Sequence, residues 1–178
     1  MRLFVAVEID EEHRSKIVNA QKQIAGEALK LVEPENLHVT LKFIGEVPDE
    51  KVVEIASRLK SVKMEPFEVR IAGMGAFPNE TYIRIVWIGL EGPLAELAAA
   101  VEKSLGVLDY IKKDSHEFSS HLTIARVKTR PRHLSQRLEG MKNIKIGTQI
   151  VDRFFLVKST LTPKGPVYEH VAEFKLGP

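Results

Sequence analysis

The sequence predicts an α+β protein with internal twofold pseudosymmetry. Three observations carry this prediction. Strand-like alternation keeps giving way to amphipathic helical spacing. Two hairpin signals, around residues 67–89 and 150–175, favour antiparallel pairing over the parallel βαβ alternative. The order strand, helix, strand, helix, strand occurs twice.

The elements follow in order. Residues 2–9 alternate as a first strand. Ile17, Ala20, Ile24, Ala28 and Leu31 keep helical spacing and predict a helix over 11–31, which Pro34 stops. Residues 37–45 form the next strand. Asp49 stands as an N-cap before Val52, Ile55, Ala56 and Leu59, a second helix. Strands at 67–72 and 82–89 enclose Gly73, Gly75, Pro78 and Asn79, which predict a long hairpin connection. Pro93 opens a third helix with the apolar stripe Leu94, Leu97, Ala98, Val101, Leu105 and Leu108. A strand at 120–128 follows. Pro131 then opens a short helix with Leu134, Leu138 and Met141. The tail, 150–158 and 166–175, reads as a hairpin turning at residues 162–165. No linker or low-complexity segment divides the chain. The expectation is one domain, 1–178, built by duplication with approximate repeats 1–80 and 81–178.

Composition narrows the function. The 178 residues are 44% hydrophobic and 28% charged, an ordinary globular balance with enough apolar mass for a real core. The absence of cysteine excludes disulfides, thiolate catalysis and cysteine zinc sites. The N-terminus reads as a strand rather than a signal peptide, and no apolar run reaches membrane-spanning length, so a cytoplasmic protein without a membrane partner is expected. A net charge of +2 is compatible with an anionic substrate without requiring one. Arg126, Lys128, Arg130 and Arg132 form a basic cluster whose plain explanation is a solvated loop.

The chemistry lies in a repeated tetrad. His38-Val39-Thr40-Leu41 returns as His121-Leu122-Thr123-Ile124, at equivalent places in the two repeats. Residues two apart in a strand share a face, so each copy presents one imidazole and one hydroxyl together. One His-x-Thr is readily explained by packing and by the strand preference of threonine. Two copies in equivalent strands are not. Two imidazoles, one neutral and one protonated, are an acid/base pair for in-line attack at phosphorus, because the unperturbed pKa is about 6.5. Threonine hydroxyls beside them would donate to the charged equatorial oxygens. No metal or cofactor enters this scheme. No His-x-His, His-Glu-x-x-His or P-loop spacing occurs, and Gly73-Met74-Gly75 is not a dinucleotide fingerprint. His13, His116, His133 and His170 read as surface or structural.

These residues resemble the two-histidine phosphoesterase superfamily, and within it the RNA 2′,3′-cyclic phosphodiesterases, also called 2′-5′ RNA ligases. The resemblance runs through Leu3-Phe4-Val5-Ala6-Val7, the flanks Asn36 to Gly45 and Phe118 to Val127, and the stretch Leu156 to Tyr168. It implies two similar lobes, each an antiparallel sheet with helices on its outer face, and an active-site groove between them. It implies a hydrolase that opens a terminal RNA 2′,3′-cyclic phosphate to a 2′-phosphomonoester, in some members also joining RNA ends through a 2′-5′ linkage. By the same resemblance His38 protonates the leaving 3′ oxygen, His121 activates water, Thr40 and Thr123 hold phosphate oxygens, and Arg126 helps bind phosphate. Strict alternation puts Arg126 on the face opposite His121, so a bulge, twist or strand end must bring it round. RNA ends, including tRNA fragments, are the expected partners of a monomer. Two alternatives stand beside this reading: a phosphodiesterase for a small cyclic nucleotide, and an RNA-binding module without turnover. The retained His and Thr pairs argue against the second, which Lys and Arg alone would serve.

Overall fold

The computed structural model describes residues Met1–Pro178 as two antiparallel sheets with four α-helices. The order is β1 (Arg2–Glu8), α1 (Glu11–Ile24), β2 (Leu29–Leu31), β3 (His38–Glu46), α2 (Val52–Leu59), β4 (Phe67–Pro78), β5 (Ile83–Glu91), α3 (Leu94–Leu105), β6 (His121–Val127), α4 (Leu134–Glu139), β7 (Lys145–Val151), β8 (Arg153–Thr162) and β9 (Gly165–Lys175). The first sheet runs β3-β1-β8-β9 and the second β2-β6-β5-β4-β7. This is the α+β, two-lobed arrangement that the sequence predicts. No helix is long and apolar enough to cross a membrane.

The chain weaves between the sheets. It passes from one to the other between β1 and β2, β2 and β3, β3 and β4, and β7 and β8. Both sheets therefore draw strands from both halves of the chain. The motif strands β3 and β6 lie in different sheets and approach each other. Helix α3 packs on β3 and α2, while α1 packs on β6, β7 and α4. One continuous apolar core runs beneath both sheets, with Val39, Leu41, Leu122 and Ile124 from the two tetrads inside it. Burying those side chains anchors each motif strand and turns its His and Thr away from the helices.

Four details depart from the sequence reading. The first helix stops at Ile24, and Leu29–Leu31 pairs with β6 as an edge strand. The helical spacing of Ala28 and Leu31 was local coincidence, overridden by tertiary pairing after Gly26. Gly73 and Gly75 sit inside the long strand β4, which pairs with both β5 and β7. Residues 145–151 form a strand of their own, and the tail hairpin starts only at Arg153. Asp49 opens a 3-10 turn before α2 without a side-chain cap hydrogen bond.

Candidate active site

The two motifs are built alike to the level of single hydrogen bonds. His38 Nδ1 lies 2.7 Å from the Asn36 carbonyl, and His121 Nδ1 lies 2.8 Å from the Ser119 carbonyl. A carbonyl only accepts, so each Nδ1 carries the hydrogen and each Nε2 is left to work. In both copies the acceptor is the backbone two residues upstream. The neutral Nε2 of His38 accepts from the Thr40 hydroxyl at 2.9 Å.

Each motif strand also carries the same β-bulge. Along β1 and β3, Ala6 pairs with Thr40 and Val5 with Lys42, so Leu41 is passed over. Along β5 and β6, Trp87 pairs with Thr123 and Val86 with Ala125, so Ile124 is passed over. The extra residue shifts the alternation by one position. Two consecutive residues turn inward, Leu41 with Lys42 and Ile124 with Ala125. The next residue turns outward, onto the His/Thr face. In the second copy that residue is Arg126; the bulge provides the correction that strict alternation lacked. In the first copy it is Phe43, a phenyl ring 65% exposed to solvent. Sequence reading missed Phe43; its place five residues after His38, matching Arg126 after His121, was the available signal.

Aromatic rings brace both imidazoles. His38 sits between Phe4 (ring centroids 4.9 Å apart) and the edge of Tyr168 (5.2 Å). His121 meets Phe77 edge-on at 5.0 Å, and Phe77 in turn leans on Trp87 at 5.5 Å. Trp87 lies flat over Gly75, where a Cβ would come within 2.3 Å of the indole. That close approach, not a turn, is why glycine stands in the middle of β4.

Burial pushes the His38 pKa below its ordinary value, because the charged ring loses hydration. The Asn36 carbonyl and the Glu8 carboxylate push it back up, while Arg126 and Arg14 push it down. Arg126, carried by the second sheet, thus acts electrostatically on an imidazole of the first. It also lowers the Tyr168 pKa against a larger upward push from burial. Glu8 is the cross-strand partner of His38 and accepts a 2.8 Å hydrogen bond from His170, whose ring stacks on Phe155 at 4.2 Å. His170, read as surface or structural, therefore borders the site through Glu8.

A cavity of about 280 Å³ adjoins His38, lined by Phe4, Glu8, Glu35, Tyr168 and His170 among others; His121 and Thr123 do not line it. A larger depression of about 750 Å³ lies beyond the end of β1. Its six carboxylates, Glu8, Asp10, Glu11, Glu12, Glu68 and Asp152, outnumber Arg14 and Arg153, the wrong balance for a phosphate, and it holds neither motif. Asp10, Glu12 and His13 there place ligand atoms within 4.8 Å of one another. His13 Nε2 already donates to the Thr148 carbonyl at 2.7 Å.

Comparison with known proteins decides the family. The model described as LigT like Phosphoesterase matches the chain twice, over residues 7–87 and 88–168. The chain belongs to the LigT-like phosphoesterases. Curated relatives of this chain carry the name RNA 2',3'-cyclic phosphodiesterase. The one from Archaeoglobus fulgidus is 42% identical, over 98% of this chain and 100% of its own length. The one from Methanocaldococcus jannaschii is 39% identical, over 98% and 100%. The crystal structure of TT0787 of Thermus thermophilus shares 33% identity and superposes with a TM-score of 0.85, covering 98% of this chain and 97% of that one. The crystal structure of E. coli LigT complexed with 3'-AMP has a TM-score of 0.81 at 22% identity, over 99% and 98%, a likeness of fold. In this LigT-like phosphoesterase the repeated bulge is the local device that puts an arginine in one motif strand and a phenyl ring in the other on the His/Thr face.

Proposed function

We propose that this protein is a metal-independent RNA 2′,3′-cyclic phosphodiesterase that hydrolyses a terminal cyclic phosphate to a 2′-phosphomonoester. The observation that carries the reading is the pair of matched imidazoles, each with Nδ1 tied to a carbonyl and Nε2 on the same face as a threonine hydroxyl. Full-length relatives of the same name support it.

The chemistry follows from the tautomers. Neutral His121 takes a proton from water through Nε2 as the water oxygen attacks phosphorus. The bond from phosphorus to O3′ breaks, and protonated His38 gives its Nε2 proton to O3′. The products are a 2′-phosphomonoester and a free 3′-hydroxyl, with the two histidines left in exchanged protonation states for solvent to reset. Protonation of His38 also ends its acceptance from Thr40. Nε2–H is then aimed at O3′, and the freed Thr40 hydroxyl donates to a phosphate oxygen. Thr123 and the Arg126 guanidinium supply the remaining donors for the charge that gathers there. The arriving phosphate raises the lowered pKa of His38 towards the protonated form this role needs. Phe43 offers an exposed ring on which the terminal base stacks. Run backwards, with a 5′-hydroxyl as the nucleophile, the same residues would join RNA ends through a 2′-5′ linkage. Both motifs lie on one chain, which supports a monomer as the working unit; tRNA fragments are among the ends it would accept.

The test is an RNA ending in a 2′,3′-cyclic phosphate, incubated with EDTA. The expected product carries a 2′-phosphate. His38→Ala and His121→Ala should each slow its formation by about 100- to 10,000-fold. Full activity in both variants would overturn the mechanism.

A further inference from the structure

Lys30 has no assigned role, and its surroundings are unusual. It is the central residue of the three-residue strand β2, and it pairs directly across from Arg126 of β6. Residues opposed in an antiparallel pair share a face, with Cβ atoms about 5 Å apart. Leu29, its neighbour, is buried on the other face, so Lys30 points to the side that carries His121, Thr123 and Arg126. Both cations are exposed, and neither takes part in a salt bridge or a side-chain hydrogen bond. Like charges placed directly opposite each other destabilise a sheet. Two other strand arginines do have acid partners, Arg70 with Glu91 and Arg153 with Glu173. Here two cations face each other with no acid between them.

Lys30 is also held at the border between the lobes. Its Nζ lies 3.4 Å from where a Cβ on Gly165 would stand. Gly165 has φ +136° and ends the β8–β9 turn of the first sheet. The tip of that hairpin, which includes Lys164, therefore closes on Lys30 from the opposite lobe. Along β6, Arg126 is five residues from His121, about 15 Å of strand, and β2 lies about 5 Å further out. The long Arg126 side chain can reach back to the reacting phosphate, whereas Lys30 lies beyond it.

We infer that Lys30, beside Arg126 and under the hairpin tip, is a second phosphate site that takes the internucleotide phosphodiester adjoining the reacting end. The inference rests on the phosphodiesterase reading above and sharpens it: the preferred substrate is an oligonucleotide end, not a free nucleoside cyclic phosphate.

Two measurements test it on Lys30→Met, which keeps the apolar stem and removes the charge. The first compares turnover of a nucleoside 2′,3′-cyclic phosphate with that of an oligonucleotide carrying the same terminal group. The variant should lose about tenfold in kcat/KM on the oligonucleotide and nothing on the mononucleotide. The slope of log kcat/KM against log salt should flatten by about 0.7. Lys30→Arg should restore both. The second measures binding of the uncleavable products, a nucleoside 2′-phosphate and an oligonucleotide ending in one; only the oligonucleotide should lose affinity. Equal losses on the two ligands would place Lys30 at the reacting phosphate and overturn the inference. No loss on either would make it an idle surface charge and overturn it equally. If the wild type turns over neither substrate but the difference in binding holds, the phosphodiesterase reading falls and the second phosphate site stands.

Discussion

Phe43 and Arg126 occupy the same position in two strands, each five residues after a motif histidine and each turned outward by the same bulge. One is a π face and the other a planar cation. Both can stack on a base, and only the second can also hold a phosphate. Phe43→Ala should therefore lower kcat/KM on an RNA cyclic phosphate by about 5- to 150-fold, the worth of one stacked base at about 1–3 kcal/mol. Because the ring is already exposed, the melting temperature should stay where it is. Arg126→Lys should recover only part of the activity that Arg126→Ala loses, since an ammonium cannot bond a phosphate through a planar fork. Steady-state kinetics and thermal melts on the three variants check this.

The lowered pKa of His38 predicts a pH signature. In the free protein its ring should titrate below 6.5, as read from imidazole NMR shifts. Glu8 favours the charged ring, so Glu8→Gln should move the titration further down. If His38 is the acid, kcat/KM falls as pH rises through that lowered pKa, because the free enzyme loses the proton it must donate. A His38 acting as base would give the opposite limb, activity lost on acidification through the same pKa.

Gly75→Ala tests the brace behind His121. The new methyl would have to displace the indole of Trp87, which supports Phe77 and through it His121. Overpacking of this kind costs about 1–3 kcal/mol, or about 2–12 °C in melting temperature for a chain of this size. Activity should fall as well, more than a substitution at an exposed strand position would cause. A variant with wild-type melting and turnover would show that the brace is dispensable.

Lys42 is the residue that the first bulge turns inward. It is 2% exposed and meets Glu102, Asp114 and the Lys112 carbonyl. Lys42→Met should destabilise the fold by about 1–3 kcal/mol, because it leaves the Glu102 carboxylate without its cation. Adding Glu102→Gln should return part of that loss. Chemical denaturation of the single and double variants measures the difference.

The tetrads were legible because their information is local: a histidine, a threonine and two aliphatic residues alternate along a strand. What lay beyond them depended on pairing. The bulge that turns Arg126 and Phe43 outward is set by register against β5 and β1, which no single strand declares. Leu29-Lys30-Leu31 continued the apolar spacing of the helix before it, so β2 was hidden until β6 was there to pair with it. Gly73 and Gly75 resembled a turn, yet Gly75 answers to a tryptophan in the next strand. His170 sits in the tail strand, and its link to His38 through Glu8 reaches from one edge of a four-stranded sheet to the other.

The weaving of the chain bears on how the protein can be taken apart. A cut in the loop between β4 and β5 would leave two fragments, neither owning a whole sheet. The first would keep β3 and β1 but lose β8 and β9; the second would lose β4 from between β5 and β7. Each fragment would expose strand edges that only the other can cover. Separately expressed halves should therefore be insoluble alone and regain a working enzyme only when produced together. The histidine of either half depends for its surroundings on strands that the other half supplies.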